Sequence, residues 1–467
     1  MVGVVGMLTL LNGTMGQSIL RFLSHTMGGG DIEKLKTIFS TALTIHIFLA
    51  FFIVLILALG GNFIIENFLN IPSERINTAF IVYLVVLFGT FFNIATTPFD
   101  GIIVAHENFK ILAATELMIS FSRLGSALFL LFTSLDKLMV YSILTSLSAM
   151  AIALYKQSYC VRKYKECSYL PKRFNRVCFK EMTSFAGWSL FGALSSVAQG
   201  QGLAVAMNIY FGVAANAAYG IANQVNGQIS NISSITRSVI YPQLLKSEGG
   251  GDRGRMLRLS ILVSKIPFLL LALLGVPLII EMGYILDLWL KEVPDFTVGI
   301  TRLLIIFTLI SYLSYGITAA VQSIGRIRDF QIVNGTLLIL GLPVSVLFFE
   351  LGFNVFSAII VTIFFEITAH IFRLFFLKKV AKVSVKNLIK KMDLPLLTIF
   401  VLALSISFGV SQTIENGIIR LILVIVVSSA IIMTGSYWFM VEEGEKALIN
   451  SWGSTLKLKL SKKFKCF

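Results

Sequence analysis

The chain alternates long apolar stretches with short polar turns, and the stretches fall in one length class. Thirteen of them, at 2–21, 37–60, 76–98, 110–132, 139–156, 183–208, 215–241, 258–281, 299–323, 331–350, 355–377, 394–411 and 417–439, suit hydrocarbon, which takes about 20 residues of helix to cross. Lipid offers no water to unpaired backbone groups, so these spans are expected as helices rather than strands. The predicted fold is all-α: a polytopic membrane protein of about 13 transmembrane helices.

The polar turns carry a repeat. Gly28-Gly29-Gly30-Asp31 recurs as Gly249-Gly250-Gly251-Asp252, an offset of 221, and the same offset pairs Glu66, Phe68 and Leu69 with Asp287, Trp289 and Leu290, and Phe109 with Phe330. Internal duplication of this kind builds many transporters. Six spans separate the two glycine turns, which gives two parallel six-helix halves in pseudo-symmetric bundles, followed by two further helices. Shifting span 183–208 back by the offset lands it before residue 1, so the first half lacks its first helix here, and a start lying upstream is expected. The expected organisation is an N-terminal bundle at 1–157, a basic linker at 158–182, a C-terminal bundle at 183–378, two extra spans at 392–440, and a basic tail at 441–467 whose alternating Leu456–Leu460 segment suits a membrane interface.

Composition supports a membrane solvent. Of 467 residues, 56% are hydrophobic and 13% charged, with mean hydropathy +0.85; soluble domains carry about 25% charged residues. The net charge of +15 (39 − 24) is concentrated in alternate loops. The stretch 156–180 holds eight basic residues, 373–391 seven, 246–258 four and the tail after Met440 six, whereas the opposite loops offer only Arg75, Lys137 and Lys291. That asymmetry places the basic loops and the C-terminus in the cytoplasm, with anionic membrane lipids rather than nucleic acid as the counter-charge. Cys160, Cys167, Cys178 and Cys466 fall on the same reducing side. Their spacing makes no zinc site, and no cofactor is expected.

The span 215–241 is unusually wet. Asn216, Asn223, Gln224, Asn226, Gln228, Asn231, Ser234 and Arg237 lie within it, and Asn216, Gly220, Asn223, Gly227, Asn231 and Ser234 recur at steps of three and four. Amides facing lipid are costly, so this face is expected to line a cavity, with interhelical hydrogen bonding as the alternative. Asn208 and its neighbours Gln199 and Gln201 extend the pattern. Arg123 sits about 20 Å into its span at 1.5 Å per residue, the most expensive charge in the chain; Glu116, seven residues earlier, could pair with it. Arg237, Lys265 and Arg302 are further candidates for a cationic lining suited to phosphate. Glu366, His370 and Arg373 share a helical face, and Glu116, Glu366 and His370 are the candidates for ion coupling. Walker, dinucleotide-binding and HExxH motifs are absent, so no enzymatic chemistry is expected.

The segment "NIYFGVAANAAYGIANQVNGQISNISSITRSVIYPQLL" (208–245) resembles the seventh-to-eighth helix region of bacterial polysaccharide flippases, in the multidrug/oligosaccharidyl-lipid/polysaccharide exporter superfamily. "TPFDGIIVAHENF" (97–109) and "RFLSHTMGGGDIEKLKTIFS" (21–40) resemble that family's loops after the fourth and second helices. The resemblance implies two bundles in a V, alternating access in the bacterial inner (plasma) membrane, and a cargo of lipid-linked oligosaccharide on polyprenyl pyrophosphate, for surface polysaccharides such as the O-antigen of lipopolysaccharide. A polysaccharide polymerase and glycosyltransferases of the same pathway would be its partners. A cation-coupled exporter of drugs or other small molecules from the same superfamily is the alternative. A membrane enzyme would be expected to present a large external loop, and the longest here is about 17 residues, a reading of the same charge map.

Overall fold

The computed structural model of the protein describes residues 2–68, 71–167 and 173–439; the tail at 441–467, with its expected interfacial segment, lies outside them. Every regular element among the described residues is helical. In chain order these are α1 (Val2–Gly29), α2 (Ile32–Phe68), α3 (Ile76–Ala95), α4 (Thr97–Ala105), α5 (Phe109–Phe129), α6 (Lys137–Lys163), α7 (Arg176–Gly249), α8 (Arg253–Trp289), α9 (Thr297–Leu313), α10 (Tyr315–Ile324), α11 (Arg328–Glu350), α12 (Phe356–Ala381), α13 (Val385–Leu388), α14 (Leu394–Gln412) and α15 (Ile418–Phe439). Gly212, at φ 79° and ψ −174°, breaks the 74-residue α7 into limbs 176–211 and 213–249. Only glycine takes such torsions without strain. With α3–α4, α9–α10 and α13–α14 each taken together, every one of the thirteen expected stretches falls on a helical run. Eleven stretches of the described residues are long and apolar enough to cross a membrane, one of them the Gly212-broken run Arg176–Ser233.

The chain divides into two compact units. The first takes the chain through Ala193 with Tyr241–Met256 and Gln322–Gln331; the second takes Leu194–Ile240, Leu257–Val321 and the residues from Ile332 on. In the first unit Ile19, Leu23, Ile38, Phe39, Phe99, Ile102 and Ile103 form a closed apolar core. In the second, Met207, Ala215, Ala218, Ala222, Ile300, Ala358 and Ile359 pack together. The small residues let helices approach closely, as expected where lipid gives no hydrophobic drive to association.

Both Gly-Gly-Gly-Asp turns close in the same way. Gly30 (φ 76°) and Gly251 (φ 80°) take the left-handed conformation, and their amides donate to the Met27 and Glu248 carbonyls at 3.1 and 3.0 Å. Asp31 and Asp252 then cap the following helices, accepting from the Lys34 and Arg255 amides at 2.9 Å each. Beyond the turn, the glycines make a crossing of α1 with the end of α7. A Cβ at Gly28 would overlap the Lys246 carbonyl, and one at Gly249 would overlap that of His25. His25 and Lys246 are themselves equivalents at the offset of 221.

The α4–α5 turn fastens the same region. Glu107, held at φ 56°, accepts from Lys246 at 2.6 Å and Gln243 at 3.0 Å. Its neighbour His106 pairs with Glu166 and stacks on Tyr164 at 4.1 Å between ring centroids. Burial pushes the Glu166 carboxyl up, but the hydrogen bond from His106, a backbone hydrogen bond and the attraction of the imidazole together outweigh it and leave the group below its ordinary range.

Candidate functional site

In the first unit the break between α3 and α4 opens a polar cavity. Thr96 ends α3, Pro98 starts α4 within its first turn, and the offset turns Asp100 toward α6. The cavity, of about 180 Å³, is lined by Asn93, Thr96, Asp100, Arg123, Thr145, Ser148 and Lys156. Thr145, Ser148, Ile152 and Lys156 lie at steps of three and four on α6, and Ile119 and Arg123 one turn apart on α5. Lys156 meets Asp100 at 2.7 Å. Arg123 is exposed to the cavity, and among the described residues it forms no ion pair. The expected partnership with Glu116 does not form; Glu116 is itself exposed. Lys156, counted with the basic loop 156–180 in the sequence, belongs to this cavity instead. Two cations against one carboxylate leave one positive charge uncompensated, beside hydroxyls and an amide.

In the second unit the stretch 213–240 of the limb 213–249 is amphipathic with its polarity reversed. Ala215, Ala218, Tyr219 and Ala222 are buried against α9 and α12, while Gly220, Asn223, Gln224, Gln228 and Asn231 are exposed. Asn216 is half-buried, and Asn208, on the preceding limb, is exposed. The Asn223 amide donates to the Tyr219 carbonyl at 2.9 Å. Asn226 turns inward, its Oδ1 accepting from Thr308 at 3.0 Å. Gln228 and Asn231 edge a pocket of about 600 Å³ with Ile232, Ile235, Leu274 and Leu278. Gln199, by contrast, is buried beside Gly341. The side chains of Ser234 and Arg237 lie outside the described residues.

The remaining candidates lie within the second unit. Lys265 is half-buried on α8. Arg302 donates to the Ile280 carbonyl at 3.0 Å, next to Glu281, which leaves helical torsions (φ −97°, ψ 15°). Glu281 in turn pairs with Arg420 of α15 at 2.7 Å. On α12, Glu366 meets Arg373 at 2.6 Å, and Arg373 also donates to Asn334 at 2.7 Å. His370 lies between Ser314 at 2.8 Å and Asp393 at 3.2 Å. Asp393 ends a π-helical turn, Ile389–Asp393, and sequence reading misses it. Asp100, Thr145 and Ser148 are missed too; the signal that could have found them is an acid and a base, each about two turns inside an apolar rod.

Comparison with solved structures shows the fold these sites stand on. A MATE transporter in its bent conformation superposes with TM-score 0.73 at 14% identity, over 82% of this chain and 86% of that one. An outward-facing multidrug resistance MATE family transporter of the MOP superfamily gives TM-score 0.68 at 15% identity, covering 82% and 89%. A MOP superfamily transporter from Pyrococcus furiosus, described by a binding pocket of reversed polarity that suggests a different function, gives 0.69 at 14%, covering 83% and 88%. No family model matches the chain, and no curated protein matches it in sequence. The chain therefore has the helical fold of the MATE transporters.

Proposed function

We propose that the protein is a multi-pass transporter of the bacterial inner membrane, C-terminus cytoplasmic, that flips a polyprenyl-pyrophosphate-linked oligosaccharide from the inner to the outer leaflet by alternating access, without bond-making chemistry. The observation that carries this reading is the uncompensated Arg123 in a cavity whose only carboxylate, Asp100, is already engaged by Lys156. A guanidinium so placed suits the oxygens of a pyrophosphate. The exposed amides of 213–249 supply donors and acceptors in the proportion that sugar hydroxyls need. Coupling to an ion through Glu116, Glu366 or His370 is not part of the proposal, since Glu366 and His370 are bound up in α12 packing.

The fold is shared with multidrug exporters, so cargo must be tested directly. An exporter of cationic drugs would be expected to line its cavity with an unpaired carboxylate, whereas the carboxylate lining the Arg123 cavity, Asp100, faces Lys156. Arg123→Ala is expected to cut restoration of surface polysaccharide in a flippase-deleted host by on the order of thirtyfold or more, from a lost charge contact of about 2 kcal/mol or greater. Arg123→Lys should retain part of the activity, and Arg75→Ala all of it. Full polysaccharide restoration by Arg123→Ala at normal membrane levels would remove the basis of the proposal, as would ethidium efflux by a wild-type protein that restores no polysaccharide.

A further inference from the structure

The last turns of α6 present a face of ordered chemistry. Tyr155, Ser158, Tyr159, Arg162 and Lys163 recur at steps of three, one, three and one, and together line a groove of about 300 Å³. Tyr155, Ser158, Arg162 and Lys163 are exposed, and among the described residues neither Arg162 nor Lys163 forms an ion pair. The groove has a fixed edge: the Asn108 amide donates to the hydroxyls of Tyr159 and Tyr164 at 2.7 and 3.0 Å, holding Tyr159 in place. Along the same stripe toward the middle of the helix, Leu147, Ala151 and Leu154 are exposed.

This order matches depth in a bilayer. α6 has 27 residues, about 40 Å at 1.5 Å per residue, so its centre falls near Met150. Hydrocarbon ends about 15 Å from the midplane. Leu154 then lies about 6 Å from the centre, Tyr159 about 14 Å, and Arg162 about 18 Å, at the level of lipid phosphates. Aliphatic side chains sit at acyl depth, tyrosines at the boundary and cations just outside it, as in interfacial belts. The net charge of +15 means basic residues alone distinguish nothing here; the tyrosine floor beneath two unpaired cations does.

We propose that this groove binds the headgroup of an anionic phospholipid. Arg162 takes the phosphate by its planar fork, Lys163 a second anionic oxygen, and Tyr155 with Leu154 and Ala151 packs along the glycerol and first acyl carbons. The site rests on the membrane reading of the fold and is independent of the cargo.

The test is native mass spectrometry of the full-length protein released from detergent, with phosphatidylglycerol and phosphatidylcholine of matched chains added in equal amounts. The wild type is expected to retain phosphatidylglycerol over phosphatidylcholine by roughly ten- to thirtyfold, from two cations near the surface. Arg162→Gln/Lys163→Gln should bring the ratio close to one, while Lys390→Gln/Lys391→Gln, which removes an exposed basic pair elsewhere, should leave it high. All three proteins should elute as single species, since the changed residues are exposed. An unchanged ratio in Arg162→Gln/Lys163→Gln would overturn the proposal, and so would an equal loss in both double variants, which would spread the preference over the whole basic surface. A delipidated wild type that dimerises through this face, and loses the dimer in Arg162→Gln/Lys163→Gln, would assign the groove to a second copy and overturn it too.

Discussion

Gly249→Ala is expected to abolish recovery of monodisperse protein, and Gly28→Ala to do the same, at a cost of about 3 kcal/mol or more from overpacking. The added Cβ at Gly249 comes within 2.6 Å of the His25 carbonyl carbon, and that at Gly28 within 2.7 Å of the Lys246 carbonyl carbon. Both obstacles are backbone, so no rotamer change relieves them, and α1 must move off the end of α7. Separation then weakens the Glu107–Lys246 pair and exposes the packed glycine faces. Gly29→Ala is the control: its Cβ meets the Gly249 carbonyl oxygen at 3.4 Å, ordinary contact. Size-exclusion profiles and melting temperatures in detergent measure all three. A Gly249→Ala protein as stable as Gly29→Ala would refute the close crossing.

Arg373→Met is expected to destabilise the second unit by about 3–5 kcal/mol, the cost of leaving a buried charge without its partner. Glu366 and Arg373 have side chains only 3% and 8% exposed, and Asn334 would lose its donor as well. The double variant Glu366→Gln/Arg373→Met should recover much of that loss, because removing both charges removes the desolvation problem along with the attraction. The exposed Lys36–Glu33 pair makes the contrast. Its side chains are 22% and 62% exposed, and Lys36→Met should shift the melting temperature little, surface pairs being worth about 0–1 kcal/mol. Equal melting temperatures for Arg373→Met and Lys36→Met would show that the Glu366 pair is not what holds α12.

The rods of this fold are legible in the sequence because hydrocarbon imposes one length on every helix that crosses it. The glycine turns are legible too, since left-handed torsions at Gly30 and Gly251 and caps at Asp31 and Asp252 are local demands with their own residue types. Their second role is not. The atoms that press on Gly28 and Gly249 are backbone carbonyls, which every residue carries and no sequence pattern marks.

The candidate sites divide along the same line. Arg123 stands out because a charge deep in an apolar run is rare, but Asp100 and Lys156 read as loop residues. Only the break at Thr96 and the extension of α6 to Lys163 carry them inside. The spacing of Glu366 and Arg373 announces their contact, being two turns of one helix. The spacing of Glu116 and Arg123 is the same and yields no ion pair, because α5 leaves both exposed and neither is forced to find a partner. Asp393 is hidden for another reason: a π-turn shifts its register, and helical periodicity cannot foresee the extra residue.

The crossing of the two glycine turns follows a reciprocal rule: position 28 meets 246, and position 249 meets 25. That is the contact rule of an isologous interface, where one surface patch meets a copy of itself. In a dimer of identical halves, any substitution there is made twice and must suit both contacts at once. In a fused chain the two contacts are encoded separately, and each can diverge without consulting the other. His25 and Lys246 already differ in this way. Lys246 forms an ion pair with Glu107, a contact that His25 at the equivalent position does not share, while Gly28 and Gly249 both face backbone that leaves no room for a side chain.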